Sequence, residues 1–332
     1  MSSAVRQKIP EQEFRSLVDA ARDRHNLSDI VSRYTVLKKR GSNEKVGLCP
    51  FHQERTPSFE VNDAKGFYHC HGCGESGDAY RFLRAKAGLS FMQAYEVLAG
   101  DAFPDVSPDE MARRKSEDQA ITRARINTAR SIWESGRLAD GTLAETYLRA
   151  RRITCALPLT IRFGMVPRYF DHETGEVGRE YPAVICALQD SADEVTAVQC
   201  IYLAPDGRTK LELPQKGKAK LTFGVMGRSA FRIAPACKHI VICEGPEDGM
   251  TLRSADPDMP VWVSCGTAAL GAIDIPEVVK AITLAGDNNA PGRKAVFAAK
   301  RAYLARGLHV DEIFPDPQFK DFNDQLRGAR CQ

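Results

Sequence analysis

In the last third of the chain, short apolar runs alternate with segments of helical pattern. The run HIVIC ends at Glu244 and Gly245 and passes into PEDGMTL. The same format returns in PVWVSCGTAAL and AITLAGDNNAPGRKA, and a fourth run, LHVDEIF, follows. Strands alternating with helices predict a parallel sheet, and such sheets gather ligands at the carboxyl ends of their strands. Glu244 and Asp287 are therefore expected side by side on one rim. Carboxylates brought together by separate strands repel one another unless a cation neutralises them, which predicts Mg²⁺ or Mn²⁺ there. The plainer reading is two surface acids in loops.

Upstream the pattern changes. IRFGMVPRY, YPAVICALQD, EVTAVQCIYL with its turn PDGR, and LTFGVMG read as strands of a mixed α+β module. Before them Ile132, Trp133, Leu138, Leu143, Tyr147 and Leu148 keep roughly helical spacing. The stretch PDVSPDEMARRKSEDQAITRARINTAR is charged, free of aromatics and opened by two prolines, so it reads as a linker running into an exposed helix. The boundaries expected are 1–103 for a first domain, 104–135 for the linker, 136–236 for the mixed module and 237–332 for the parallel-sheet domain.

The first domain is marked by LCPFHQERTPSFEVNDAKGFYHCHGCGESGDAYRFL. Cys49 and His52 are two residues apart, as are Cys70 and Cys73, with seventeen residues between the pairs. Each pair offers two ligands across one tight turn, which outlines a tetrahedral zinc site closed over a small sheet. Gly72, Gly74 and Gly77 supply the backbone freedom of such a knuckle. Four protein ligands leave no open position, so the zinc is expected to be structural. His69 and His71 are the local competitors for a ligand position.

Composition narrows the class further. At 332 residues the chain is expected to form two or three soluble domains. No apolar run approaches the roughly 18 to 20 residues of a membrane span, and MSSAVRQKIPEQEF lacks the apolar core of a secretory signal. A cytoplasmic protein without membrane contact is expected. Cys155, Cys186, Cys200, Cys237, Cys243, Cys265 and Cys331 lack framework spacing and read as reduced thiols. A net charge of +3 is too mild to establish a polyanion partner. The clusters Lys38-Lys39-Arg40, Arg113-Arg114-Lys115 and Arg149, Arg151, Arg152 suit phosphates, but they equally read as solvated faces.

Two resemblances then sharpen the picture. SDIVSRYTVLKKRGSNEKVGLCPFHQERTPSF, KGFYHCHGCGESGDAYRFL and GLSFMQAYEVLAG resemble the zinc-binding domain of bacterial DnaG-type DNA primases over residues 26 to 100. The resemblance implies contact with single-stranded DNA template. Lys38, Lys39, Arg40 and Arg55 would meet phosphates, and Phe51, Phe59, Phe67 and Tyr68 would include base-stacking residues unless they form the small core. PAVICALQDSADEVTAVQCIYLAPDGRTKLE resembles the region before the catalytic domain in phage and mobile-element relatives. That region would place Lys210, Lys216, Lys218, Lys220 and Arg228 along a groove for template and nucleotides.

Residues 238 to 327 resemble a Toprim domain. Glu244-Gly245, Asp248, Cys265-Gly266-Thr267, Asp287 and Lys320-Asp321 match its primase form. Asn289 stands where the family has a second aspartate, and Asn323 where primases carry a late acid, with Asp324 one step further. What the resemblance implies is a compact primase, multidomain α+β and α/β, with a zinc-ribbon-like domain, a mixed module and a Toprim parallel-sheet domain. It would join ribonucleoside triphosphates into RNA primers on single-stranded DNA. Glu244 and Asp287 would be catalytic, Mg²⁺ or Mn²⁺ would be held by Glu244, Asp248, Asp287 and Asp321, and Asn289 would be a weakened ligand. Lys220, Arg228, Arg293 and Lys294 would hold phosphates. The rivals are a Toprim metal-dependent nuclease and a catalytically decayed, zinc-dependent single-strand-binding accessory protein. No G-x-x-x-x-G-K-[ST] loop occurs, so a fused helicase is not expected. The chain stops shortly after the Toprim match, so any replicative helicase partner is expected to be engaged by other means or supplied by a phage, plasmid or other mobile element.

Overall fold

The computed structural model describes residues 11–41, 43–100, 108–171, 174–213 and 217–330, so Lys216 and Cys331 lie outside the described residues. The chain divides into two compact units between Ile121 and Thr122.

In the first unit, helices α1 (Glu11–Asp23) and α2 (Leu27–Val31) precede a five-stranded antiparallel sheet, ordered as the chain runs. Its strands are β1 (Leu37–Lys39), β2 (Glu44–Gly47), β3 (Phe59–Asn62), β4 (Phe67–Cys70) and β5 (Ser76–Gly77). Helices α3 (Ala79–Ala87) and α4 (Phe91–Ala99) follow. Their ends are set locally. Asp78 caps α3 by accepting the Arg81 amide, Gly88 ends it in the left-handed region, and Ser90 with Gln93 forms a capping box on α4.

Alternation along β3 and β4 turns Phe59, Val61, Tyr68 and Cys70 inward against Phe82 and Leu83 of α3. The rings of Phe59 and Tyr68 stack at 5.2 Å, and Phe51 lies over Tyr68 at 5.8 Å. This corrects the stacking expectation for two of the four aromatics. Phe59 and Tyr68 are fully buried, because a domain this small needs their area for its core, and Phe67 alone of the four is exposed, at 46%.

Helix α5 spans Pro108–Ser135. The helical spacing read through Ile132 to Leu148 is interrupted in the structure. After α5 come the short strand β6 (Arg137–Leu138), a turn with Gly141 at φ +67°, and α6 (Leu143–Ala150), capped by Thr142.

A single ten-stranded sheet runs through the second unit, so the mixed module and the parallel strands share it. The antiparallel part comprises β7 (Ile161–Pro167), β8 (Glu180–Gln189), β9 (Val195–Tyr202) and β10 (Lys220–Gly224). Strand β11 (Ala230–Arg232) pairs β8 on one side and β13 (Val261–Val263) on the other, which stitches the halves together. The parallel strands are ordered β13, β12 (His239–Cys243), β14 (Ala281–Ala285), β15 (His309–Ile313). From β12 the chain goes to β13 on one side, then crosses back to β14 on the other. The crevice beyond β12 and β14 is therefore a topological switch point. Helices α7 (Pro246–Ala255), α8 (Ala290–Leu304) and α9 (Phe322–Arg327) complete the unit. One core packs α6 and α7 against the sheet through Tyr147, Leu148, Val184, Leu188, Val241 and Met250.

Among the described residues no helix is long and apolar enough to cross a membrane, and Cys155, Cys186, Cys200, Cys237, Cys243 and Cys265 are free thiols.

Candidate functional site

The hairpin of β3 and β4 and the loops before and after it bring Cys49, His52, Cys70 and Cys73 together, with one ligand atom from each lying within 4.8 Å of all the others. Cys49 Sγ is 3.9 Å from Cys73 Sγ, and Cys70 Sγ is 3.7 Å from His52 Nδ1. Ligands about 2.3 Å from a tetrahedral centre are about 3.8 Å apart, so the set fits zinc. The amides of Phe51 and Cys73 point at Cys49 Sγ and Cys70 Sγ over 3.4 Å each. In the metal-free chain burial pushes the Cys49 thiol up to about 12. For Cys70 the upward push of burial is outweighed by the Ser58 hydroxyl and the Cys73 amide, which bring it to about 6.

Glu54, which the motif reading passed over, orders the knuckle. It lies 3.3 Å from His52 Nε2 and accepts the Cys49 amide at 2.7 Å and the Ser58 hydroxyl at 2.5 Å. A carboxylate behind a histidine fixes which ring nitrogen faces the metal, here Nδ1. The rival histidines are turned elsewhere, His71 toward Glu60 at 3.0 Å and His69 edge-on to His71. A side chain at Gly72 would come within 2.7 Å of the His52 ring, so the knuckle requires glycine there.

The sheet face opposite the core carries a cross-strand row of Lys38, Val46, Glu60 and His69. Phe67, two residues from His69, shares that face. Lys38, Lys39, Arg40 and Arg55 are exposed, with Arg40 paired to Glu60.

In the second unit a cavity of about 180 Å³ opens at the switch point. Its lining includes Glu244, Asp248, Asp287 and Asp321 together with Arg151, Lys210, Lys220 and Lys320. Glu244 follows β12 and Asp287 follows β14. Asp248 sits in the first turn of α7, and Asp321 caps α9 by accepting the Asp324 amide. Burial raises the Glu244 carboxyl above its usual range, and the charge of Asp287 adds to it. Asp287 and Asp248 are raised by burial and then by Asp321. Lys220 and Lys320 offset part of this rise at Glu244 and Asp287 without outweighing it, and such under-compensated carboxylates suit a divalent cation. Their oxygens do not close as tightly as the zinc set, the one group of three or more such ligands within 4.8 Å among the described residues. An ion here would draw further ligands from water or a bound phosphate. A Cβ at Gly245 would lie 2.7 Å from Asp248 Oδ2, so the glycine keeps that oxygen open.

Asn289 does not present a free oxygen. Its Oδ1 accepts the Gly292 amide at 2.8 Å and caps α8, while its Nδ2 faces Asp287 Oδ2 at 3.4 Å. Helix capping therefore competes with a metal for the Asn289 oxygen that was expected to coordinate it.

The basic residues separate in the same way. Lys220 reaches the cavity. Arg228 lies 2.5 Å from Asp274, and Arg293 donates to Asn288 at 2.6 Å and stacks over Phe314 at 4.5 Å. Lys294 is exposed and outside the lining, as is Lys218. In their place stand Arg151 and Lys320. Arg149 is tied to Glu145 and to the carbonyls of Ile153 and Cys155. Asn288 pins the crossing from β14 to the loop before Lys320 through three carbonyls, those of Pro315, Asp316 and Phe319.

Three family models match the chain in tandem. They are a CHC2 zinc finger over residues 14–114, a domain of unknown function (DUF7146) over 123–233 and a Toprim domain over 239–329. By sequence the chain is a relative of the DnaG-type DNA primases, with a zinc ribbon ahead of a Toprim sheet. It is 33% identical to a DNA primase of Listeria monocytogenes over 49% of this chain and 26% of that one. Against the Streptomyces coelicolor DNA primase the identity is 29%, covering 76% and 44%, and against that of Halalkalibacterium halodurans 26%, covering 98% and 59%. The chain thus spans between a quarter and three-fifths of these relatives' length. The solved zinc-binding and RNA polymerase domains of the Aquifex aeolicus primase align at 19% identity over 94% of this chain and 82% of that one, with a TM-score of 0.43.

Proposed function

We propose that this protein is a DNA primase that joins ribonucleoside triphosphates on a single-stranded DNA template. The observation that carries this reading is the cavity at the switch point, lined by four carboxylates free of ion pairs among the described residues and by the cations Arg151 and Lys320. Glu244, Asp248, Asp287 and Asp321 would hold Mg²⁺ or Mn²⁺, which supplies charge neutralisation for nucleotidyl transfer when bound. Arg151, Lys320, Lys210 and Lys220 would receive the triphosphate. The knuckle, held by structural zinc, presents its open sheet face to template, with Phe67 to stack on a base and Lys38, Lys39 and Arg55 to meet phosphates. By the same kinship a replicative helicase would be the partner that delivers template.

The test is incubation of the zinc-loaded chain with single-stranded DNA, labelled ribonucleotides and Mg²⁺ or Mn²⁺. Labelled oligoribonucleotides that disappear with Glu244→Gln support the reading. Shortened template instead would make the protein a nuclease, and retention of template without either product would make it a binding protein.

A further inference from the structure

We propose that Glu247 is a cation holder: it keeps Lys210 and Lys220 off the neighbouring carboxylates, so that Glu244, Asp248, Asp287 and Asp321 stay open for a divalent ion. The inference deepens the proposed function and rests on its assignment of those four acids as the metal site.

Glu247 is the fifth acid of the cavity and, among the described residues, differs from the other four in being ion-paired, with a lysine at each oxygen. Oε1 lies 2.6 Å from Lys210 Nζ and accepts the Tyr147 hydroxyl at 3.1 Å, and Oε2 lies 3.6 Å from Lys220 Nζ. Its side chain is only 4% exposed, against 32% for Lys210 and 41% for Lys220. Tyr147 arrives from α6, Lys210 from the loop after β9, and Lys220 from the start of β10. A carboxylate so buried is tolerable only when paired and hydrogen-bonded, and here the pairing converges from three separate elements.

The two lysines also line the cavity of the four open acids. A lysine ammonium is a compact charge on a flexible stem and moves to the nearest uncompensated anion. Without the Glu247 charge, that anion is the acid rim. An ammonium seated there cancels part of the field that attracts a divalent ion and occupies oxygens the ion needs. Held by Glu247, the lysines stay at the edge, where a triphosphate can meet them.

The test uses the full zinc-loaded chain and Mn²⁺ alone, with free Mn²⁺ followed by electron paramagnetic resonance. Glu247→Gln should bind Mn²⁺ about tenfold more weakly than the native chain, the scale of one coupled charge. The variant combining Glu247→Leu, Lys210→Met and Lys220→Met replaces the ion cluster by apolar groups of similar size. It should bind Mn²⁺ at least as tightly as the native chain, and it decides the matter even if Glu247→Gln does not fold. Weak Mn²⁺ binding by this triple variant would overturn the proposal, since Glu247 would then be a ligand itself. Unchanged binding in folded Glu247→Gln would overturn it too. A native chain whose Mn²⁺ binding is absent, or insensitive to Glu244→Gln, removes the metal-site assignment and this inference with it. Normal Mn²⁺ behaviour in all variants without primer synthesis would leave the holder role standing and sink the primase reading alone.

Discussion

The backbone N–H of Asn323 donates to the Asp248 carboxylate over 3.0 Å, closing the start of α9 onto α7 across 75 residues of sequence. The Asn323 side-chain amide donates to the Arg151 carbonyl at 3.1 Å and to Thr251 Oγ1 at 2.9 Å, and the residue is 1% exposed. An acid at this position would have no donors for those acceptors and would set a buried charge beside Asp248. Asn323→Asp should therefore destabilise the second unit by about 3 kcal/mol. Urea unfolding followed by tryptophan fluorescence reads that unit alone, because both tryptophans, Trp133 and Trp262, lie in it.

Removal of zinc should act on the other unit. Apparent zinc binding of roughly 10 to 16 kcal/mol in small modules is also their folding energy. Chelation, or Cys70→Ser, should expose the amides of residues 45–80 to hydrogen exchange and leave those of the ten-stranded sheet protected. Metal analysis should find one zinc per chain, and a chain purified without chelator that contains none would refute the site.

Glu244→Gln removes one charge from the acid rim and keeps the side chain's size. Nucleotide joining should be abolished, while folding is unchanged or slightly improved, since a repelling carboxylate is gone. Primer synthesis at the native rate in this variant would place the chemistry elsewhere.

Asn289→Asp should keep the α8 cap, because a carboxylate oxygen accepts the Gly292 amide equally well. It also sets a second negative charge beside Asp287. The variant should be less stable in metal-free buffer and should need less Mg²⁺ for half-maximal synthesis. An identical Mg²⁺ dependence in the two proteins would show that this charge does not reach the site.

The pH dependence follows from the raised carboxyls. Glu244, Asp248 and Asp287 bind protons more tightly folded than unfolded, through burial first and mutual charge second. Without divalent metal, the second unit should lose stability as pH rises from the ordinary carboxylate range toward neutrality. Glu247 has the opposite sign. Burial would raise it, but Lys220 and Lys210 hold it well below the usual range, so its stabilisation is complete above the unfolded carboxyl range and is lost progressively as pH falls through and below that range. Melting followed by tryptophan fluorescence should give a midpoint that falls as pH rises above the ordinary carboxylate range in metal-free buffer. Added Mg²⁺ should flatten that fall.

The sequence by itself determined what is local. The zinc set was legible because Cys49 with His52, and Cys70 with Cys73, are each joined by one turn, and a turn's reach is fixed by covalent geometry. Glu244 and Asp287 were legible because the carboxyl end of a parallel strand has a known place in its sheet. Only the tertiary structure decided which charges meet. Lys210 and Lys220 are drawn to Glu247, while Arg228 goes to Asp274 and Arg293 to Asn288 and Phe314. It also turned Phe59 and Tyr68 inward, left Phe67 outside, and spent the Asn289 oxygen on a helix cap. Long flexible cations carry no periodicity that fixes their direction. Their partners are chosen by burial and by which distant elements pack together, as where Tyr147 of α6 meets Glu247 of α7, a hundred positions apart in the chain.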